Sequence, residues 1–127
     1  MHRSRLTAAY FDVTDKDFEV ETAFWSGALG RRVEGADDPD YIELAPRVGG
    51  LQVLVQRVGD GTPARVHFDI ETDDMDAEVA RLERLGATKV EFIDRWWVMR
   101  DPAGMLFCVV GMQSPEEFES HATTWED

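Results

Sequence analysis

The feature that most constrains this chain is that it repeats itself. Phe11-Asp12-Val13, at the end of one apolar-rich stretch, returns as Phe68-Asp69-Ile70, and Leu29-Gly30, at the end of one helical stretch, returns as Leu85-Gly86. The offsets are 57 and 56 residues. Each half closes with a glycine that leads into an apolar strand: Gly50 into Leu51-Gln52-Val53-Leu54-Val55, and Gly104 into Met105-Leu106-Phe107-Cys108-Val109. A recurring order of motifs within 127 residues fits one domain built from two similar modules, because a chain of this length buries one core. The modules run from about residue 5 to 58 and from about 65 to 111, around the turn-rich linker 59–64 and before an acidic tail, 112–127.

Within each module the hydrophobic period switches in the same order. Leu6 to Val13 and Arg65 to Thr72 are rich in β-branched and aromatic residues with partial alternation, which predicts strands. Asp15 to Leu29 and Asp74 to Leu85 carry helical spacing, with Phe18, Trp25 and Leu29 in the first and Met75, Val79, Leu82 and Leu85 in the second. Asp73 or Asp74 caps the second helix, and Gly86 stands where a left-handed residue ends it. Three short strands follow in each module: Arg31 to Glu34, Tyr41 to Leu44 and Leu51 to Val58, then Lys89 to Ile93, Trp96 to Met99 and Leu106 to Val110. Ser114-Pro115-Glu116-Glu117 has the form of a further helix start.

Composition narrows the function classes. Thirteen Lys and Arg against 26 Asp and Glu give a formal net charge of -13, which repels phosphate backbones and anionic lipid and argues against nucleic acid or membrane as partner. The single cysteine, Cys108, forms no intrachain disulfide. No apolar run approaches the roughly 20 residues of a spanning helix, and the first residues lack the apolar core of a signal peptide. The expected location is the cytoplasm.

The order β-α-β-β-β, twice over, resembles the vicinal-oxygen-chelate superfamily of glyoxalases, bleomycin-resistance proteins and extradiol dioxygenases, and within it the small bacterial glyoxalase-like domains. The residues that carry the likeness are Phe24-Trp25 with Leu29-Gly30, Val66-His67 with Asp73-Asp74, Leu85-Gly86, and Trp97-Val98-Met99-Arg100-Asp101-Pro102-Ala103-Gly104 leading into Phe107. The resemblance implies an α+β fold in which two βαβββ modules form a curved mixed sheet around a central funnel, with the helices outside. It also implies a homodimer. If Phe11, Val13, Phe68, Ile70, Phe107 and Val109 face the helices, alternation turns Ala8, Tyr10, Asp12, His67, Asp69, Glu71, Leu106, Cys108 and Val110 to the other face. Tyr41, Gln52, Leu54, Gln56 and one of Trp96 or Trp97 join them. The candidate ligand-binding set is Tyr10, Asp12, Gln56, His67, Asp69, Trp96 and Cys108.

Members of the superfamily that do chemistry hold a divalent metal on His, Glu or Gln from the first and last strand of each module. Carried over by position, this pattern selects His67, seven residues before Asp74, and Cys108, four after Gly104, where such enzymes usually have Glu. In the first module it selects Ala8 and Leu54, although aligning the repeat on its Phe-Asp pairs selects Tyr10 instead. Only His67 is a metal-binding side chain of the usual type, so the metal set is incomplete and a divalent ion is a candidate cofactor rather than an expected one. His67, Asp69 and Tyr10 are the candidate catalytic residues, since imidazole, carboxylate and phenol can all move protons. The expected function is binding of a small organic molecule. The alternatives are a metal-dependent lyase, isomerase or dioxygenase of the same superfamily, and an antibiotic-sequestering resistance protein.

Overall fold

The computed structural model describes residues 1–126, and these form an α+β fold with nine strands in a mixed sheet and three helices. The chain divides into two compact units, one of residues Ala8–His67 and the other of Met1–Thr7 together with Phe68 onward. The first strand, β1 (His2–Thr14), passes from one unit to the other after Thr7, and β5 (Arg65–Thr72) does so after His67.

In the unit Ala8–His67, β1 runs directly into α1 (Asp15–Leu29), followed by β2 (Arg32–Gly35), β3 (Tyr41–Ala45) and β4 (Gln52–Val58). The strand order is β2-β3-β4-β1, with β1 and β4 parallel and the other pairs antiparallel. Helix α1 carries Asp15 and Asp17 in its first turn, where the helix dipole favours negative charge. It ends at Gly30, whose φ of 65° is a left-handed value that glycine takes without steric cost. The core is Val13, Phe18, Leu44 and Val55, with Phe11, Trp25, Ile42 and Val53 packed around it. Phe11 and Val13 therefore face α1, as alternation predicts, and Trp25 stacks on Phe11 with centroids 4.4 Å apart. Leu29 stays exposed, because the helix gives way to the Gly30 turn at that point.

In the other unit, β5 is followed by α2 (Met75–Arg84), β6 (Thr88–Ile93), β7 (Trp96–Arg100) and β8 (Leu106–Gly111), and then by α3 (Pro115–His121) and β9 (Thr123–Trp125). The order β5-β8-β7-β6, with β5 and β8 parallel, repeats that of the first unit. Val79, Leu82, Met99 and Val109 form its core, with Ile70, Met75, Ala87, Trp97 and Phe107 against them. Asp74 is the residue that caps α2, accepting from the Ala77 amide at 3.1 Å. Gly86 has φ of 113°, a conformation that favours glycine, and a Cβ there would press on Pro102 Cγ at 3.2 Å. Leu85, placed on the buried face by spacing, is exposed because α2 stops at Arg84.

The segment that composition marks as an acidic tail holds two of these elements. Phe118 of α3 is fully buried, and β9 pairs antiparallel with the beginning of β1, His2 opposite Trp125. A buried ionic network fastens them. His2 Nε2 lies 2.8 Å from Glu78 Oε1, Arg81 grips the same carboxylate at 2.8 and 3.0 Å, and the Arg81 guanidinium lies 3.8 Å from the centre of the Trp125 ring. Glu71 is also fully buried, where it accepts from Arg5 Nε at 2.9 Å and from the backbone amides of Gln113 and Ser114 at 2.6 and 3.0 Å. Among the described residues, no helix is long and apolar enough to cross a membrane.

Candidate functional site

The unit Ala8–His67 collects polar side chains on the sheet face opposite α1. Phe11 and Val13 point at the helix, so Tyr10 and Asp12 point away from it. Register sets Leu54 beside Tyr10 and Gln56 beside Asp12 on β4, then Tyr41 beside Gln56 on β3. Gln56 Nε2 donates to the Tyr41 hydroxyl at 3.0 Å, and the Tyr41 ring stands edge-on to Tyr10 with centroids 6.0 Å apart.

At the centre of this group is a carboxylate and imidazole pair. Asp12 is fully buried, and its Oδ2 lies 2.6 Å from His67 Nδ1 and accepts from Arg65 Nε at 3.0 Å. An ionised carboxylate can only accept, so the imidazole donates to it through Nδ1. Tyr10 lies flat against the ring, 4.4 Å between centroids and 4° between planes. Hydrogen bond and stacking together fix both the tautomer and the ring plane. Asp12 Oδ1 is buried with no hydrogen-bond partner among the described residues.

Asp69 follows His67 by two residues on β5, so alternation gives them the same face, and Cys108 is the register partner of Asp69 on β8. The adjacent tryptophans divide between faces. Trp97 packs into the α2 core, and Trp96 turns the other way to line a cavity at the end of β8.

Sequence reasoning placed Tyr10, Asp12 and Gln56 of the first module and His67 of the second on one face; the fold puts all four in the unit Ala8–His67, in a connected cluster with Tyr41. Asp69 and Cys108 pair with each other across β5 and β8, and Trp96 lines its cavity with Arg95 and Val110. Arg65 was missed. The available signal is its position two residues before His67, on the same face of the same strand. Glu71, counted by alternation among the face-lining carboxylates, is occupied by Arg5 and two backbone amides and so anchors structure. Glu43, on the β3 face beside Leu54, is held below the ordinary glutamate range by hydrogen bonds from Arg47, against an opposing push from burial.

A sequence profile of the glyoxalase-like domain family matches residues 8–110. No curated protein sequence matches the chain. Among solved structures, a glyoxalase/bleomycin resistance protein/dioxygenase superfamily member from Vibrio splendidus 12B01 is 16% identical with a TM-score of 0.51, over 81% of this chain and 96% of that one. The Mn(II)-bound glyoxalase from Novosphingobium aromaticivorans is 19% identical, TM-score 0.59, over 100% of this chain and 43% of that one. A variant of homoprotocatechuate 2,3-dioxygenase from B. fuscum in complex with HPCA is 18% identical, TM-score 0.56, over 87% and 32%. This chain spans less than half of the latter two proteins. At such identities the likeness is one of fold.

Proposed function

Because the chain belongs to the glyoxalase-like domain family, a fold shared by proteins of varied chemistry, we propose that it binds a small oxygen-bearing organic molecule against the His67 imidazole. The observation that carries this reading is the fixed ring: Asp12 at 2.6 Å on Nδ1 and Tyr10 stacked at 4.4 Å. A ring held in one plane is oriented before any ligand arrives, which is what orienting groups contribute to recognition and proton transfer. Nε2 accepts a hydrogen bond from a ligand hydroxyl, or takes its proton, in which case Asp12 stabilises the imidazolium that forms. Arg65 on the same carboxylate offsets its charge. Tyr10, Tyr41 and Gln56 supply the aromatic and amide surface typical of small-molecule sites.

The experiment is a thermal-shift screen of 2-oxo acids, catechols, aromatic acids and cationic glycopeptides against the wild type and His67→Ala. A ligand at 100 times its dissociation constant stabilises by about 2.7 kcal/mol, and that shift disappears in the variant. The reading fails if no compound shifts the wild type, or if the shift survives in His67→Ala.

A second reading is favoured by the register pairing of Asp69 with Cys108, on the strand that also carries His67. The donor set does not suit the manganese named for one structural relative: thiolate is a soft ligand, and Ala8 and Leu54 carry no donor at all. Nitrogen, oxygen and sulfur together suit a zinc-class ion, which when bound polarises a ligand oxygen. Elemental analysis of protein purified without chelator tests this. Stoichiometric zinc that is lost in both His67→Ala and Cys108→Ser supports it, and zinc below a tenth of an equivalent after zinc dialysis removes it.

A further inference from the structure

The unit that holds β6, β7 and β8 has a cavity of about 230 Å³ at the end of β8, lined by Arg95, Trp96, Val110, Gly111, Met112 and Gln113. We infer that this cavity is a recognition site for a single-ring aromatic carboxylate, with the ring on the Trp96 indole and the carboxylate on Arg95. This deepens the small-molecule reading by naming a ligand class, and it rests on that reading for the expectation that the chain takes up small molecules.

The argument begins with the paired tryptophans. Trp97 is committed to the core, where Phe92 stands edge-on to it at 5.4 Å and Lys89 lies 4.9 Å from its ring. Alternation then sends Trp96 to the other face together with Val98, the register partner of Cys108. The Trp96 face is therefore that of Cys108 and Val110. Val110, nearly fully buried, gives the cavity an apolar floor, and Met112, 40% exposed, gives it a soft, adaptable wall. An indole only partly covered by its own protein, over such a floor, offers its π-face to a flat ring.

Arg95 supplies the polar end. It occupies the two-residue turn between Ile93 and Trp96, which are register partners, and Asp94 in that turn takes φ of 53°, a left-handed value seldom adopted outside glycine. The turn sets Arg95 among the residues that line the cavity. Its side chain is 89% exposed, and its ion pair, with Asp94, spans 3.8 Å, beyond hydrogen-bond length. Arg5, Arg47, Arg65 and Arg81, by contrast, all donate to carboxylates within 3.1 Å. A planar guanidinium whose hydrogen-bonding edge is not taken up by a close carboxylate matches an incoming carboxylate in charge and shape. The volume falls below the roughly 300 to 1,000 Å³ of drug-sized sites, which limits the guest to one ring.

The test uses the full chain and three probes at pH 7: benzoate, benzyl alcohol, which keeps the ring and loses the charge, and cyclohexanecarboxylate, which keeps the charge and loses planarity. Ligand-observed saturation-transfer NMR gives their affinities. Benzoate is expected to bind at least tenfold more tightly than either control. Arg95→Gln, at an exposed turn, removes the preference over benzyl alcohol, and Trp96→Leu removes the preference over cyclohexanecarboxylate. Absence of benzoate binding, or equal binding by Arg95→Gln, overturns the inference. If benzoate fails while another compound binds in a His67-dependent way, the inference falls and the broader reading stands. If benzoate binding needs Arg95 but no compound's binding is affected in His67→Ala, the inference stands and the His67 reading falls.

Discussion

His67 Nδ1 lies 2.6 Å from Asp12 Oδ2, on an oxygen that Arg65 also engages. Replacing that oxygen with an amide removes a charge-assisted acceptor from a buried position. Asp12→Asn is expected to lower unfolding stability by about 2 kcal/mol, the scale of a hydrogen bond to a charged group, as measured by urea denaturation. It also frees the ring to change tautomer, so the ¹⁵N shifts of the His67 imidazole move toward a mixture of both forms. Unchanged shifts would mean that Asp12 does not set the tautomer.

Glu71 is a structural carboxylate. With its side chain fully buried and Arg5 only 3% exposed beside it, Glu71→Ala leaves a guanidinium buried without its counterion and strips the acceptor from the Gln113 and Ser114 amides. The expected loss is about 3 to 5 kcal/mol, read from the denaturation midpoint at constant m-value. A loss below 1 kcal/mol would contradict the anchoring role.

Acid should loosen the His2, Glu78 and Arg81 network. Burial alone pushes the Glu78 carboxyl up, but hydrogen bonds from Arg81, Ser4 and His2, with the charge of Arg81, outweigh it and hold the group below its ordinary 4.5. A carboxyl with a depressed folded-state value stabilises fully above its unfolded value and loses that contribution as pH falls through the folded one. Unfolding free energy should therefore drop below about pH 4.5, with a shallower drop in Glu78→Gln. Parallel pH curves for the two proteins would show that Glu78 has no part in it.

Phe118 tests whether the last helix is integral. It is 0% exposed, and the Arg3 guanidinium lies 5.1 Å from the centre of its ring. Phe118→Ala should cost about 3 to 5 kcal/mol, as large aromatic deletions from cores do, and calorimetry should show the melting temperature falling with it. A change within experimental error would mean that α3 is dispensable.

Elements whose signal is local could be read from the residues alone. The helix Asp15–Leu29 and the strand Arg65–Thr72 coincide with their expected bounds because period, acidic first turn and terminal glycine lie within the segment itself. The face assignments of Phe11, Val13, Ile70, Phe107 and Val109 follow from alternation and agree with the two cores. β9 escaped because Thr123-Thr124-Trp125 is too short to show a period, and what makes it a strand is a partner some 120 residues away. The same distance hid the early start of β1 at His2. For the candidate site, alternation selects the face but not the bonds. The share of Asp12 taken by Arg65, and the capture of Glu71 by Arg5, depend on contacts across more than 50 residues that no spacing rule encodes.

The pairing of His2 with Trp125 has a mechanical consequence. Because β9 runs antiparallel to the start of β1 with these two residues opposite each other, a pulling force applied to the first and last described residues enters the ladder at one end. The hydrogen bonds then yield one after another, as a zip opens, instead of resisting together in shear. Under tension the protein should release this three-residue strand at low force, and it would resist far more when gripped at residues on either side of the parallel β1 and β4 pair.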